Sequence, residues 1–415
     1  MARPGLPTRT RAAAVAGSVT ARVSRVLGRG EGTVIGGRVS LWVDPHALGR
    51  LGAGHRVSLV SGTNGKTTTT RLLAAALAGA GPVVTNPQGS NLPPGLVSGL
   101  AGAPAGAAAA LEVDEAWLAT AAAALHPATI TLLNLSRDQL DRVAEVRRLA
   151  DRWREVVATR VEALVVANAD DPLVAWAAAA AAPERITWVA AGQPWRDDAA
   201  GCPACGGAIG FAEGWSCGSC GFARPRPAFT VADDGVVDAA GVTHPLVLAL
   251  PGRANRANAA MAAATASLVG LDLDHALAAM AATTSVDGRY RRATVGAADA
   301  RLLLAKNPAG WLEVLDMLAP APGPVVVVVN ARIADGRDPS WLWDVPFEQL
   351  AARPVAASGE RSRDLSVRLH YAGVDHRRIA DPLHAIEALG PGPVDVAANY
   401  TALRELDARL RGRRG

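Results

Sequence analysis

The sequence predicts an α/β fold, with a P-loop central domain, an inserted four-cysteine zinc ribbon and a C-terminal α/β domain of Rossmann-like type. Three observations predict it. Strand-like and helix-like segments alternate from about residue 55 to about residue 190 around a glycine-rich loop, all four cysteines fall in one short stretch, and a run of five valines marks a second α/β unit. We expect a basic N-terminal segment at 1–45, the P-loop domain at 46–296 with the ribbon at 198–228, and the C-terminal domain at 297–415.

The composition bounds the class of protein. A chain of 415 residues with 50% hydrophobic residues has room for two or three domains with buried cores. Its formal net charge of +4 is modest, and aromatic and basic residues are not interleaved, so we expect no nucleic-acid binding. No apolar run predicts a transmembrane helix and no secretory signal is recognisable, so we expect a cytoplasmic protein.

The N-terminal segment is basic. The first thirty residues contain six arginines, and no acidic residue precedes Glu31. A plain solvated N-terminus is one interpretation. The other is an amphipathic segment that touches the anionic inner face of a membrane.

The glycine-rich loop contains Lys66, one of only two lysines among the 42 basic residues. An apolar, β-branched segment precedes the loop and a helix-forming segment follows it, which is the setting of a P-loop. We predict that backbone N–H groups hold the phosphates of a nucleotide, that Lys66 reaches the β- and γ-phosphates, and that Thr67 holds Mg²⁺. The predicted nucleotide-binding residues of the loop are Gly62, Thr63, Asn64, Gly65, Lys66, Thr67 and Thr68.

Polar residues also follow several later strands. Glu112 and Glu115 end a predicted strand and are suited to hold Mg²⁺ through oxygen ligands, with a solvated acidic turn as the alternative. The segments 134–142 and 168–172 follow two further strands. Because nucleotides bind at the carboxyl ends of parallel strands, we expect these groups at one edge of the sheet.

Two more candidates lie outside this edge motif. Asn255, at the start of an alanine-rich helix, is predicted to face the base of the nucleotide, and helix capping is the alternative. Arg289 would offer its guanidinium to the transferred phosphate.

The four cysteines form two C-x-x-C pairs followed by glycines, which is typical of a zinc ribbon. Disulfides are the alternative, but nothing marks the chain as exported. Four cysteines committed to zinc leave none to act as a thiolate nucleophile, so this chain cannot release ammonia from glutamine by cysteine chemistry. The predicted zinc ligands are Cys202, Cys205, Cys217 and Cys220.

Together these motifs resemble the MurT subunits of lipid II isoglutaminyl synthases, which are Mur-ligase-like proteins that work with a separate glutaminase, GatD. Two departures are visible. Stand-alone Mur ligases have a histidine after the aspartate where this chain has Asp138-Gln139, and Asn330-Ala331 stands where such subunits have Asn-Asp. The shared motifs lie at 62–68, 111–115, 137–142, 168–172, 202–220, 251–258, 305–310, 334–344, 369–373 and 399–403.

The resemblance implies a Mur-ligase-like central domain that uses ATP and Mg²⁺ to phosphorylate the α-carboxylate of D-glutamate in lipid II. Ammonia from a GatD-type partner, in a heterodimer, would then displace the phosphate. Lys306 would help to neutralise the transferring group. An aspartate of the C-terminal domain would complete the Cys-His arrangement of the partner, and the candidates are Asp335, Asp338 and Asp344.

Two other functions fit parts of the sequence. A stand-alone Mur-type or folylpolyglutamate-type ligase would add an amino acid instead of ammonia. A nucleotide-binding scaffold would recruit partners without chemistry. The zinc ribbon and the loop from Asp335 to Asp344 favour the amidating subunit over both.

Overall fold

A computed structural model describes residues 5–27, 32–86, 89–137, 146–284, 290–320 and 323–412. It divides into two compact units. The first comprises Met1–Leu135, Val146–Ala249 and Ala254–Thr284, and the second comprises Ser136–Glu145, Leu250–Arg253 and Ser285–Gly415.

The first unit is built from alternating helices and strands. Its helices are α1 (Thr8–Val26), α2 (Thr33–Val43), α3 (Ala47–Gly52), α4 (Lys66–Ala78), α5 (Pro93–Ala101), α6 (Leu118–Leu125), α7 (Val146–Thr159), α8 (Pro172–Ala178), α9 (Arg253–Leu268) and α10 (Leu273–Met280). Its strands are β1 (Arg56–Ser61), β2 (Val83–Val84), β3 (Ala108–Glu112), β4 (Thr129–Leu132), β5 (Leu164–Asn168), β6 (Ile186–Ala190), β7 (Ile209–Gly210), β8 (Ser216–Cys217), β9 (Phe229–Val231), β10 (Gly235–Val237) and β11 (Thr243–Pro245).

Nine of these strands form one sheet in the order β11-β10-β9-β6-β5-β4-β1-β3-β2. The strands from β6 to β2 in this order pair in parallel, and the β9-β10-β11 end is antiparallel. The chain runs outward from β1 to β2, returns to β3, and then crosses to β4 on the other side of β1. The strand order therefore reverses beside β1, which places a crevice at its carboxyl end.

The sheet is covered on both faces, as its parallel strands require. Leu59 of β1 points into one buried cluster with Ile130 and Trp153, whereas the next residue, Val60, points into another with Leu72. Because successive strand residues face opposite sides, one short apolar strand anchors both layers of helices. This packing fixes the end of β1, from which the P-loop leaves.

The second unit has its own sheet. Its helices are α11 (Pro308–Leu318), α12 (Ser362–Tyr371), α13 (Pro382–Ala388) and α14 (Tyr400–Gly412). Its strands are β12 (Tyr290–Val295), β13 (Ala298–Leu304), β14 (Val325–Val328), β15 (Val355–Ser358), β16 (His376–Arg378) and β17 (Gly392–Ala398), in the order β12-β13-β17-β14-β15-β16. Only the β12-β13 hairpin is antiparallel.

The valine run that predicted this unit forms β14, which lies inside the sheet and is fully buried. The predicted α/β fold is thus confirmed. No helix within the described ranges is both long enough and apolar enough to cross a membrane.

Candidate functional site

The P-loop links β1 to α4 through two glycines that other residues could not replace without strain. Gly65 has a φ of 82° and caps α4, and a Cβ at this position would overlap the side chain of Asn258. A Cβ on Gly62 would lie 2.8 Å from that of Leu133. The backbone therefore stays close to its neighbours, and the loop leads directly into the amino end of α4, the part of a helix that binds phosphate in P-loops.

Lys66 is buried at the first position of α4, with 5% of its surface exposed. Its ammonium donates to the carbonyl oxygens of Gly62 and Thr63, the latter at 3.2 Å. It also forms an ion pair with Glu115, with Nζ 2.9 Å from Oε2. A compact ammonium meets three oxygens in this space, which explains the choice of lysine in an arginine-rich chain.

Thr67 and Glu112 place two oxygen ligands together beside the loop. The Thr67 hydroxyl lies 2.7 Å from Oε2 of Glu112, and Nδ2 of Asn91 lies 3.3 Å from the other carboxylate oxygen. The backbone N–H of Glu112 donates to Asn86 Oδ1 at 2.8 Å, which fixes the end of β3. Hydroxyl and carboxylate oxygens are the donor set that Mg²⁺ prefers, so the arrangement fits the predicted metal.

Asn134, at the end of β4, holds the shape of the P-loop. Its carbonyl and side-chain oxygens each accept a backbone N–H of the loop at 2.9 Å, from Thr63 and Asn64 respectively. Its side-chain amide donates to the carbonyl oxygen of Asn64 at 3.1 Å. The sequence placed Asn134 at the same edge as the loop but did not indicate this direct clamp.

Asp171, after β5, is fully buried, and its carboxylate accepts four hydrogen bonds. One oxygen caps α8 and accepts from the N–H groups of Leu173 (2.9 Å) and Val174 (3.2 Å). The other accepts from the backbone of Leu135 (2.8 Å) and from the side chain of Gln193 (3.2 Å). Burial raises the pKa of Asp171 to about 6, although the backbone donors act in the opposite direction. Asp171 thereby ties the end of β5 to the segment that carries Asn134.

Replacing Asp171 by asparagine is expected to lower the free energy of unfolding of the first unit by about 2 kcal/mol. The amide oxygen can still cap α8, but its NH₂ group would face the buried N–H of Leu135. The matched control is Asp381→Asn, in the same Asp-Pro-Leu cap of α13, where the second oxygen binds only the half-exposed Arg409. There we expect a loss below about 1 kcal/mol by denaturant unfolding. Equal losses at both caps would contradict the role of Leu135.

The wild type and Asp171→Asn should also differ in how their free energy of unfolding depends on pH. Because the folded-state pKa of Asp171 lies above its ordinary value of 3.8, the folded chain binds this proton more tightly than the unfolded chain. The stability gained from this carboxyl is fully present below pH 3.8 and is lost as the pH rises through about 6. Unfolding curves across this window should show that component in the wild type and not in Asp171→Asn.

Asn258, the second asparagine of the Asn-x-x-Asn pattern, reaches the P-loop. Its Oδ1 accepts from the Thr69 hydroxyl at 3.2 Å and lies against Gly65. Asn255, the predicted residue, is buried at the start of α9. Asn255 and Asn258 are three residues apart and therefore lie on one face of α9. This spacing could have led the sequence analysis to predict Asn258 as well.

The remaining predicted phosphate ligands do not belong to the first unit as described. Lys306 belongs to the second unit, where its ammonium lies 5.8 Å from the ring centroid of Tyr400. Arg289 and the segment 138–142 lie outside the described residues. The roles of Lys306 and Arg289 stay predictions.

The four cysteines meet at one point. Their sulfur atoms all lie within 4.8 Å of one another, with Sγ–Sγ distances of 3.7 Å (Cys202–Cys220) and 3.6 Å (Cys205–Cys217). A tetrahedral zinc with Zn–S bonds of about 2.3 Å requires sulfurs about 3.8 Å apart, so the cluster fits this ion. Backbone donors from Cys220 and Ser219 lower the pKa of Cys217 to about 6. At Cys220 the backbone donor of Phe222 is outweighed by hydrogen bonds with the neighbouring thiols, which raise its pKa to about 12.

The ribbon is fixed to the turn after β5. Trp215 donates its indole N–H to the carbonyl oxygen of Ala169 at 2.9 Å, and Arg224 forms an ion pair with Asp170 at 2.5 Å. Trp215 also packs in a small apolar cluster with Cys202 and Cys217. The ribbon therefore supports the turn that contains Asp171.

The three candidate aspartates of the second unit differ in their surroundings. Asp335 is buried, and its carboxylate accepts from both the backbone N–H (2.9 Å) and the hydroxyl of Thr401. Asp344 lies 3.8 Å from Arg137. Asp338 is exposed, and one of its oxygens accepts from the N–H of Ser340 at 2.9 Å. Asp335 is committed to the structure of its own unit, whereas Asp338 faces solvent.

Comparison with known proteins places these features in a family. The model of the Mur ligase middle domain matches residues 60–198, and the model of the MurT ligase C-terminal domain matches residues 304–403. The chain resembles the MurT-type members of the Mur ligase family. The first match contains the P-loop and the second contains the three aspartates.

Relatives of the MurT type resemble the chain over most of its length. One, from Streptococcus pneumoniae, is called lipid II isoglutaminyl synthase (glutamine-hydrolyzing) subunit MurT and is 28% identical over 92% of this chain and 93% of its own. A protein of the same name from Staphylococcus aureus strain N315 is 28% identical over 85% of this chain and 86% of its own. The expected class of enzyme, a carbon–nitrogen ligase, is thereby confirmed.

Solved structures show the same fold. A pseudomurein peptide ligase type C from Methanothermus fervidus has a TM-score of 0.63 at 19% identity and covers 83% of this chain and 76% of its own. MurF from Acinetobacter baumannii has a TM-score of 0.62 at 14% identity and covers 90% of this chain and 80% of its own. At these identities the likeness concerns the fold of the MurT-type chain alone.

Proposed function

We propose that this MurT-type chain is the synthetase subunit of a two-subunit enzyme that amidates the α-carboxylate of D-glutamate in lipid II. The observation that carries the proposal is the combination, on one chain, of a P-loop with paired oxygen ligands and a MurT-type C-terminal domain. The names of the relatives supply the substrate and the reaction.

The proposed chemistry has two steps. A carboxylate oxygen of D-glutamate attacks the γ-phosphorus of ATP, ADP leaves, and an acyl phosphate forms. The nitrogen of ammonia then attacks the carbonyl carbon, inorganic phosphate leaves, and a proton passes to solvent. The first step is needed because a carboxylate is a poor electrophile.

The P-loop residues would support the first step by electrostatics. Lys66 would bind phosphate oxygens in exchange for its contact with Glu115, while Thr67 and Glu112 would hold Mg²⁺. The metal, when bound, would neutralise charge on the transferring phosphate. Fixed positive charge at this point stabilises the transition state more than the ground state.

The ammonia must come from another chain if it comes from glutamine by cysteine chemistry. The sequence has four cysteines, and all four belong to the ribbon cluster. A thiolate nucleophile for glutamine is therefore missing, although the relatives are called glutamine-hydrolyzing. We assign this step to a GatD-type glutaminase partner.

A surface of the second unit suits such a partner. Its large exposed apolar residues, among those described, include Trp343 and Tyr371, whose rings lie 5.6 Å apart, and Val367 one turn earlier on α12. Trp343 adjoins the loop that contains Asp338. Exposed aromatic residues are enriched at the centres of protein interfaces, so we place the glutaminase here.

The proposal is tested with purified components. The chain with lipid II, ATP, Mg²⁺ and glutamine should give no amidated product until the glutaminase is added. A high concentration of ammonium should replace both glutamine and partner. Amidation from glutamine by the chain alone would contradict the two-subunit proposal, and ATP turnover triggered by an amino acid would indicate a peptide-forming ligase.

Replacing Asp338 by asparagine is expected to lower glutamine-dependent amidation on the order of 10³-fold, because Asp338 would orient a histidine of the partner. Ammonium-dependent amidation should stay unchanged. The matched control is Asp299→Asn. Asp299 is exposed and lies near the amino end of β13, whereas Asp338 follows the carboxyl end of β14 in the same sheet. If Asp338→Asn slowed both reactions equally, the assignment to the partner would be wrong.

A further inference from the structure

The first helix of the first unit, α1, buries small and polar residues and exposes apolar ones. The buried side of α1 consists of small or polar residues, namely Thr10, Ala13, Gly17 and Ser24. Four valines face solvent instead, with exposed fractions of 58% (Val15), 57% (Val19), 51% (Val23) and 81% (Val26). A helix that is stabilised only by its own protein shows the reverse pattern.

The buried side of α1 is small because a second helix lies very close to it. Gly17 approaches Gly36 and Ser40 of α2 so closely that a Cβ would overlap both. The Thr10 hydroxyl donates to Asp44 at 2.6 Å, and the Ser40 hydroxyl donates to the carbonyl oxygen of Ala13 at 2.9 Å. The orientation of α1 is therefore fixed, and the valines are held in solvent by the fold.

The four exposed valines form one continuous stripe. At about 100° per residue, they lie within about 80° of one another around the helix axis. Leu27, 62% exposed, follows directly after Val26. Trp42 of α2 is 83% exposed. A contiguous exposed apolar stripe on a helix marks a surface that binds a membrane or another molecule.

The charge of the same helix identifies what covers it. α1 contains four arginines and no acidic residue, and α2 adds Arg38 without an acid. Arg22 and Arg25 line a cavity of about 240 Å³ together with the hydroxyl-bearing Ser18 and Thr33. Guanidinium and hydroxyl groups in a pocket of this size suit a phosphate group.

The geometry points to α1 as a docking helix for an anionic lipid bilayer. Its valine stripe would enter the boundary between head groups and acyl chains, while the cavity of Arg22 and Arg25 would take a lipid phosphate. A protein partner would need acidic groups beside an apolar groove. An anionic bilayer offers negatively charged head groups beside apolar acyl chains over its whole surface. The inference rests on α1 and its neighbours and is independent of the reaction at the P-loop.

The test is cosedimentation of the full-length chain with vesicles. Vesicles of equal parts phosphatidylglycerol and phosphatidylcholine should bind the chain, and binding should weaken as salt is raised. Vesicles of phosphatidylcholine alone should bind at least tenfold more weakly. The double variant Val19→Asp/Val23→Asp should bind the anionic vesicles at least tenfold more weakly than the wild type.

Two further comparisons keep the inference falsifiable. Val161→Asp and Val247→Asp change valines elsewhere in the first unit that are at least as exposed as Val19 and Val23, and they should leave vesicle binding unchanged. Arg22→Gln/Arg25→Gln changes only exposed side chains and should weaken binding about 25-fold, at about fivefold for each arginine.

Three results would overturn the inference. The first is equal sedimentation of the wild type with and without anionic vesicles. The second is an equal loss of binding in the control valine variants. The third is an oligomer that Val19→Asp/Val23→Asp dissociates while vesicle binding stays at the wild-type level, because the stripe would then be buried between copies of the chain.

Discussion

Replacing Lys66 by alanine is expected to lower ammonium-dependent amidation at least a hundredfold, the largest effect of any single substitution in the P-loop. The ammonium is held against the P-loop, between the carbonyls of Gly62 and Thr63 and the carboxylate of Glu115. Its loss leaves charge on the transferred phosphate without this partner. The measurement is the steady-state rate with saturating ammonium and ATP.

The variant Lys66→Arg separates shape from charge. Lys66 is 5% exposed and its ammonium meets three oxygens, so a planar guanidinium should not restore the rate although it keeps the charge. Both variants should keep the thermal unfolding temperature of the second unit and bind the glutaminase. Retention of more than a tenth of the rate in Lys66→Ala would contradict the assigned role.

Removing zinc is expected to have the largest effect on structure. The wild type should contain about one zinc per chain by elemental analysis, and Cys205→Ser should lose it. Structural zinc sites bind with apparent free energies of about 10 kcal/mol or more, which is folding free energy for a small ribbon. Hydrogen exchange should therefore show loss of amide protection at 202–224, including the backbone N–H of Arg224, which donates to the carbonyl oxygen of Trp215 at 2.9 Å.

A control within the ribbon tests whether the metal or the sequence matters. Ser219→Ala lies between two ligands, and the Ser219 side chain is exposed. This variant should keep both zinc and amide protection. Because the ribbon contacts Asp170 and Ala169, the zinc-free chain should also amidate more slowly. A zinc-free wild type with unchanged protection and rate would show that the cluster is not a structural metal site.

The features that the sequence predicted well are local. A strand, a glycine loop and a helix are encoded within about twenty residues, so the P-loop and the position of Lys66 could be predicted without the fold. The C-x-x-C spacing determines the cysteine cluster in the same way. The edge of polar strand ends followed from the rule for parallel sheets, and β1, β3, β4 and β5 are indeed neighbours.

The features that could not be predicted depend on contacts between distant segments. Asn258 could not be singled out from the sequence, because only the direction of α9 brings its side chain to Gly65. The sequence also does not distinguish Asp335 from Asp338. Only the fold shows that Asp335 binds Thr401. The basic character of the N-terminus could be read from the sequence. The burial of the small residues of α1 and the exposure of its valines could not, because they depend on the close approach of α2.

The central claim is that the MurT-type chain forms an acyl phosphate before amidation, and one isotope experiment tests it most directly. Lipid II carrying ¹⁸O in the α-carboxylate of D-glutamate is amidated with ATP, Mg²⁺ and ammonium, and the inorganic phosphate is analysed by mass spectrometry. The acyl phosphate predicts one ¹⁸O atom in each phosphate released with product. Amidated product formed with unlabelled phosphate would contradict the mechanism.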